Sequence, residues 1–355
     1  MGFNPFQMFF PKKMLGIDVG TASIKVVELS RWGGGRTLEN YGEVQSAALF
    51  KESFRMTGKG SQLFSASYVS KAIKAILAES RIKTTSAIFS IPDFSTFFVS
   101  FDLPPLSLKE LPEAIRFNAP QYIPLPISET TLDWKVISGM PGTKQNLKVL
   151  VVAVANQVIR EYQKVAQMAG LELYALEAEA LAVARALVKN SKKTICVLDI
   201  GVQSTTVNIV DQGTLKKSYS FDFATGNQLT HAVSAALDKG YVEAEEIKKT
   251  KGLLSKEKNI SETLYLLVDP LLSEVNKISS EFARIEGREI EEIHLTGGTA
   301  NLPGLKEYFS AVLKKKVEIP NCFADFLYPP ILGGTLSEMS PRFSVAVGVA
   351  LQGLE

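Results

Sequence analysis

The sequence predicts an α/β protein built on a duplicated core of two lobes, with a small α/β subdomain inserted into the first lobe. Three observations predict it. The run Met14 to Leu29, MLGIDVGTASIKVVEL, is matched half a chain later by Val197 to Val210, VLDIGVQSTTVNIV, with Asp18 over Asp199, Gly20 over Gly201 and Ser23 over Ser204. Each copy has a β-rich run, a tight glycine turn and a second β-rich run, which is the pattern of a β-hairpin. Segments with apolar residues at helical spacing follow both copies, and a proline-rich stretch flanked by β-rich runs interrupts the first.

In chain order, Ser70 to Ile76 and Tyr162 to Leu187 carry apolar residues at helical spacing, as at Leu176, Ala180, Val183 and Leu187, and predict helices packed on a sheet. Ala87 to Leu103 turns to strand composition, the prolines 104, 105, 112, 120, 124 and 126 follow, and strand returns at Leu147 to Ala155. The inserted subdomain is therefore expected over Thr84 to Val158. In the second half, Asn227 to Leu237, Glu243 to Thr250 and Leu271 to Ile285 predict three helices, after which Ile293 to Leu295 returns to the sheet. The expected parts are a first core subdomain (1–83, 159–193 and 340–355), the insert (84–158), a second core subdomain (194–225 and 290–339) and a helical subdomain (226–289).

With 355 residues the chain has room for more than one packed unit. Apolar residues make up 46% and charged residues 21%, ordinary globular usage. Lysine plus arginine number 39 against 37 acidic residues, so there is no broad positive field to hold nucleic acid by its phosphates. Two histidines and two cysteines leave no clustered set for structural zinc and no disulfide framework. No uncharged run approaches the ~20 residues that cross a bilayer as a helix. Met1 to Pro11 is apolar and is followed by Lys12 and Lys13, the reverse of a secretory signal's order, and Phe6 breaks the N-myristoylation pattern. The chain is expected to be cytoplasmic, with the apolar tip a leader or a weak membrane-surface contact.

Phosphate binding needs converging backbone N–H groups, small residues that let the chain approach, and hydroxyls or a lysine for the remaining oxygens. The first hairpin turn offers Gly20, Thr21, Ala22 and Ser23 with Lys25 behind; the second offers Gly201, Ser204 and Thr205 without a lysine. Asp18 and Asp199 end the leading strands, and a pair of carboxylates beside phosphates suits Mg2+. Either Asp can equally serve as an acceptor for turn N–H groups. Leu295 to Gly304, LTGGTANLPG, places Gly297 and Gly298 after a strand, where a flat ligand can lie against backbone, with Thr299 and Asn301 nearby. A plain strand-to-helix turn also uses two glycines. Glu245 and Lys248 sit three apart on one helical face, positioned to embrace a ribose or to form a solvated ion pair.

With Asp18 to Lys25, Asp199 to Thr205 and Leu295 to Asn301 in this order, the chain resembles the actin, Hsp70 and sugar kinase superfamily (ribonuclease H-like core). AEEIK, from Ala244, resembles the adenosine-side helix of the bacterial actins. The blocks EAIRFNAPQYIPLPISETTLDW from Glu113, EAEALAVARAL from Glu177 and PRFSVAVGVAL from Pro341 narrow the resemblance to the PilM family of type IV pilus assembly, whose fold is similar to FtsA. The resemblance implies an FtsA-type insert, two connecting helices at Glu177 to Leu187 and Pro341 to Leu351, and ATP or ADP with Mg2+ as cofactor. It also implies Glu179, with Glu177 as the neighbouring alternative, as the carboxylate that orients the attacking water. The partner implied is the cytoplasmic N-terminal tail of PilN, which would hold the chain peripherally at the inner membrane; other pilus proteins or self-association remain open. Against this adaptor stand an FtsA-like filament-forming ATPase and a small-molecule phosphotransferase, the latter without a visible substrate-side Asp. Weak or no ATP turnover is expected. Asn118 and Pro120 depart from the family pattern and predict an early helix end, and Ser344 replaces a usual Ala.

Overall fold

The computed structural model describes residues 11–46, 65–188 and 191–355, and the apolar tip at 1–10 lies outside them. The chain divides into two units, Met1–Ala182 with Ala346–Glu355, and Val183–Val345. Both boundaries fall inside helices, α4 (Glu179–Leu187) and α9 (Gly333–Leu354). They correspond to the helices expected at Glu177 to Leu187 and Pro341 to Leu351; the first starts later, and the second extends past both expected ends.

The first unit carries a five-stranded sheet formed by β1 (Lys12–Val19), β2 (Ser23–Trp32), β3 (Gly35–Gln45), β4 (Ser86–Ile91) and β8 (Glu172–Ala178), in the order β3-β2-β1-β4-β8. β1 pairs antiparallel with β2 from Lys12↔Arg31 to Val19↔Ile24, and parallel with β4. The first eight residues of β2 are all buried, because helices cover the sheet: α1 (Ala66–Glu79) and α3 (Asn156–Ala169) pack Val69, Ile73, Tyr162 and Val165 against Ile17, Val26 and Phe89.

Two expectations are corrected in this unit. Ser86–Ile91, placed in the insert by composition, hydrogen bonds to β1 and β8 and belongs to the first sheet. The helix expected over Tyr162 to Leu187 is broken: Gly170, at φ 77°, caps α3, and Glu172–Ala178 runs as a strand beside β4 before α4 begins. Leu176 thus has helical spacing from Ala180 but lies on a strand.

The insert proper is a three-stranded antiparallel sheet, β5 (Thr96–Leu103), β7 (Leu147–Ala155) and β6 (Thr130–Ser138), in the order β5-β7-β6. Phe101, Leu103, Val149 and Val151 form its core with Leu111 and Ile115 of α2 (Leu111–Asn118). The helix ends at Asn118, as the departures there predict, and a single 3-10 turn follows.

In the second unit β9 (Thr194–Ile200), β10 (Thr205–Asp211), β11 (Thr214–Phe221), β12 (Glu292–Thr296) and β13 (Lys316–Glu318) take the order β11-β10-β9-β12-β13, with β9, β12 and β13 parallel. The order and directions match the first sheet. Three helices, α5 (Gly226–Leu237), α6 (Tyr241–Lys251) and α7 (Lys258–Glu286), lie between β11 and β12, and α8 (Leu305–Leu313) precedes β13. α7 starts 13 residues before the expected Leu271, because Pro270, which reads as a breaker, is accommodated inside the helix.

Within the first unit α9 approaches so closely that side chains are excluded at its contacts. A Cβ on Gly16 of β1 would lie 2.0 Å from the Ala346 carbonyl oxygen and 2.7 Å from the Ala350 nitrogen; one on Gly348 would lie 2.0 Å from the Ala182 carbonyl oxygen. These neighbours are backbone and cannot rotate away. Gly16→Ala is expected to destabilise the chain by about 1–3 kcal/mol, whereas Gly34→Ala, with open space around it, leaves stability nearly unchanged. Denaturant unfolding of the two variants checks this.

Candidate functional site

The two hairpins close in the same way. Gly20 N–H donates to the Ser23 carbonyl at 3.0 Å, and Gly201 N–H to the Ser204 carbonyl at 2.9 Å. A Cβ at either glycine would sit 2.8 or 2.9 Å from that same carbonyl, so both turns are drawn too tight for a side chain.

Asp18 is not an exposed turn residue. It is 6% exposed and ends a strand inside the sheet. Its Oδ2 accepts from Lys25 Nζ at 3.3 Å, and its Oδ1 accepts from Ser90 Oγ at 2.9 Å. Lys25 is directly opposite Asp18 on β2; Ser90 lies one residue beyond the last β1–β4 pair, Ile17↔Phe89; and Glu177 is opposite Ser90 on β8. Directly opposed residues share a face of a sheet. Lys25, Asp18, Ser90 and Glu177 therefore form one polar rung across β2-β1-β4-β8, and all four are buried. The rung lies at the carboxyl ends of the parallel strands, where open α/β sheets place their ligands.

Glu179 stands apart from this rung. It opens α4, where its Oε2 accepts from the Asp93 N–H at 3.4 Å, while buried Asp93 Oδ1 accepts from the Ala180 N–H at 3.0 Å and so caps the helix from the 3-10 turn after β4. Sequence reasoning missed Ser90 and Asp93. The available signals were a hydroxyl inside the apolar run AIFSI and an acidic residue just past Pro92.

In the second unit the expected residues gather around Gly226, the first residue of α5. Its N–H donates to the Gly201 carbonyl at 2.8 Å and Asn227 N–H to the Val202 carbonyl at 3.0 Å, while Lys248 Nζ donates to the Gly226 carbonyl at 2.9 Å. A Cβ on Gly226 would meet Thr299 Oγ1 at 2.7 Å. Thr205, fully buried, donates through Oγ1 to the Ala224 carbonyl. Gly297, at φ 88°, turns the chain beside Asp199: a Cβ there would lie 2.3 Å from Asp199 Oδ1. Gly298 has open space where its side chain would be. Asn301 Nδ2 donates to the Glu338 carbonyl, and Ser344 meets Thr296 Oγ1 at 2.8 Å, which gives the departure at 344 a partner on β12.

Glu245 and Lys248 are not a solvated pair. Lys248 is 4% exposed, donates to Thr230 Oγ1 at 2.8 Å and lies 2.7 Å from Glu245 Oε2. Burial pulls the Lys248 ammonium below its ordinary pKa. Burial works the other way on Glu245, but the hydrogen bonds from Lys248 and Thr230 outweigh it and hold its carboxyl low. Lys248 thus braces α6 against α5 and aims Glu245.

Among the described residues one group brings metal-ligating atoms within 4.8 Å of one another, Glu292, His294 and Glu318 on β12 and β13. Lys193 lies 2.5 Å from Glu292, and Lys316 lies 3.4 Å from Glu292 and 2.5 Å from Glu318. Both carboxylates already have ammonium partners, and the group is an ion-pair cluster at the sheet edge.

The rung, the paired glycine turns and the two matching sheets define the class: this is an actin-like α/β ATPase fold. The family model described as Type IV pilus assembly protein PilM matches residues 16–354, and the chain belongs to that family. A solved chain of a PilM-PilN type IV pilus biogenesis complex is similar at TM-score 0.83 and 25% identity, over 96% of this chain and 98% of that one. MreB 5 of Spiroplasma citri, solved with AMPPNP, shares the fold at TM-score 0.53 and 15% identity over 96% of this chain and 95% of its own. Cell division protein FtsA of Pseudomonas aeruginosa is 26% identical over 241 residues, 61% of this chain and 56% of FtsA. The chain therefore spans little more than half the length of that relative.

His294 in the edge cluster generates a pH prediction. It is buried, its Nδ1 has no hydrogen-bond partner among the described residues, and burial depresses its pKa despite the opposing pull of Glu292 and Glu318. As pH falls through about 6.5 the unfolded chain takes up the proton first, so stability is present above that pH and is lost toward the lower folded value. Thermal unfolding from about pH 7 down to 5 should show a steeper fall in Tm for the parent than for His294→Gln; equal slopes contradict the assignment.

Proposed function

We propose that the chain is an ATP-binding adaptor of the type IV pilus assembly complex: a cytoplasmic protein that binds ATP or ADP with Mg2+ and, in a nucleotide-linked way, the cytoplasmic N-terminal tail of PilN, which holds it at the inner membrane. The observation that carries this is the likeness, over 96% of the chain, to a protein solved as a PilM-PilN complex. The family match over 16–354 supports it.

On this proposal the two five-stranded sheets are copies of a duplicated actin-like core, and the three-stranded sheet with α2 is the FtsA-type insert. Because β4 belongs to the first sheet, the insert starts after Pro92 rather than at Thr84 and ends near Val158. The helices over 226–289 form the adenosine-side subdomain. The residues present fit the cofactor: two side-chain-free turns suit phosphates, two aspartates supply the hard oxygen donors that Mg2+ prefers, and the open backbone at Gly298 suits a flat base. Asp18, Gly20, Thr21, Ala22, Ser23 and Lys25 are assigned to phosphate and metal, and so are Asp199, Gly201, Ser204 and Thr205. Glu245, aimed by Lys248, serves the ribose, and Gly297, Gly298, Thr299 and Asn301 the base. For hydrolysis, Glu177 in the rung with Asp18 is favoured over Glu179.

Asp18→Ala would strand a buried ammonium at Lys25, so the isosteric Asp18→Asn is the cleaner probe. Asp18→Asn and Asp199→Asn are each expected to weaken Mg·ATP binding by about tenfold or more in calorimetry; unchanged affinity in both contradicts the metal and phosphate assignment. A labelled peptide copying the cognate PilN N-terminus should bind saturably, with a dissociation constant that shifts on adding Mg·ATP. No saturable binding in either condition overturns the adaptor. The FtsA match favours a second reading, a filament, which would show instead as light scattering that rises with Mg·ATP.

A further inference from the structure

The polar rung contains one member that no motif predicts. Ser90 is fully buried in the middle of the first sheet, with Asp18 on one neighbouring strand and Glu177 on the other. A hydroxyl at that depth is costly unless it is hydrogen bonded, and Ser90 spends its proton on Asp18 Oδ1 at 2.9 Å. Lys25 holds the other oxygen, Oδ2, at 3.3 Å. The carboxylate is thus held at both oxygens from two strands, and of its two partners only Ser90 is short enough to be fixed by the sheet itself. Lys25, on the hairpin arm, has a long side chain that can swing toward an anion; Ser90 has no such freedom. Were Lys25 to turn to a phosphate, the Ser90 hydrogen bond would be the contact that stays on Asp18.

We infer that Ser90 is a positioning residue: through its hydrogen bond to Asp18 it holds the carboxylate in the orientation that receives Mg2+. This rests on the proposed role of Asp18 as the magnesium carboxylate. On this reading Ser90 acts through Asp18, to which its hydroxyl donates, so its removal acts on the metal-dependent part of binding. A role confined to sheet stability would change binding equally with and without metal.

The test is ADP affinity of the full chain by calorimetry, measured once with excess Mg2+ and once with EDTA. The dissociation constant in EDTA divided by that in Mg2+ isolates the metal. Ser90→Ala should lower that ratio by about tenfold, the value of a hydrogen bond to a charged group, while affinity in EDTA stays within about twofold. Ser90→Cys keeps the volume filled and replaces the donor by a weak one; it should lower the ratio likewise, and it serves if Ser90→Ala does not fold. Ser90→Thr, which returns the hydroxyl, should restore the ratio. An unchanged ratio in Ser90→Ala or Ser90→Cys overturns the inference and leaves the nucleotide reading standing. A parent chain that binds ADP with no Mg2+ dependence overturns the metal role and the inference together, and a parent chain that binds no nucleotide overturns the proposed function before any variant is compared.

Discussion

Asp18 is a carboxylate held almost out of water between a lysine and a serine, and the first sheet is arranged to keep it there. Taking a charge out of water costs several kcal/mol unless it is paired and hydrogen bonded. Both conditions are met by neighbours on adjacent strands, Lys25 on β2 and Ser90 on β4. Such a group contributes little net stability compared with a well-packed apolar side chain. Its presence at the carboxyl end of a parallel strand, beside a turn too tight for a side chain, fits the ligand site proposed for it.

The second unit meets the same demand differently. Its hairpin has no lysine, and its order comes from backbone contacts that converge on Gly226, whose N–H and carbonyl engage Gly201 and Lys248. The buried Lys248 here braces two helices and fixes Glu245. The two hairpins share sequence and turn geometry, yet one is organised by a charged rung and the other by a glycine at a helix start. Close approach governs α9 in the first unit as well, where Gly16 and Gly348 let helix backbone lie against strand and helix backbone.

Much of this was legible in the sequence because it rests on local rules. The repeated Asp-x-Gly turn marks both hairpins, and Leu147 to Ala155, LKVLVVAVA, reads as a strand and is one, because a short apolar run rich in valine fits a buried strand. What was not legible depends on pairing across the chain. Ser86–Ile91 reads as part of the insert by proximity, and only its hydrogen bonds to β1 place it in the first sheet. Glu177 and Glu179 look interchangeable in EAEAL, and a strand that ends at Ala178 separates them into a rung residue and a helix-start residue. The helical spacing of Leu176 with Ala180 hid that strand. Pro270 concealed the first half of a 29-residue helix, since a proline there signals a break that the packed helix absorbs.

The central claim is that this chain binds an adenine nucleotide. The most direct measurement is to denature the purified chain, with and without prior incubation with Mg·ATP, and identify what is released by anion-exchange chromatography. The account predicts ATP or ADP released in proportion to protein, with less from Asp199→Asn than from the parent. No adenine nucleotide released from the parent after incubation with saturating Mg·ATP would contradict it.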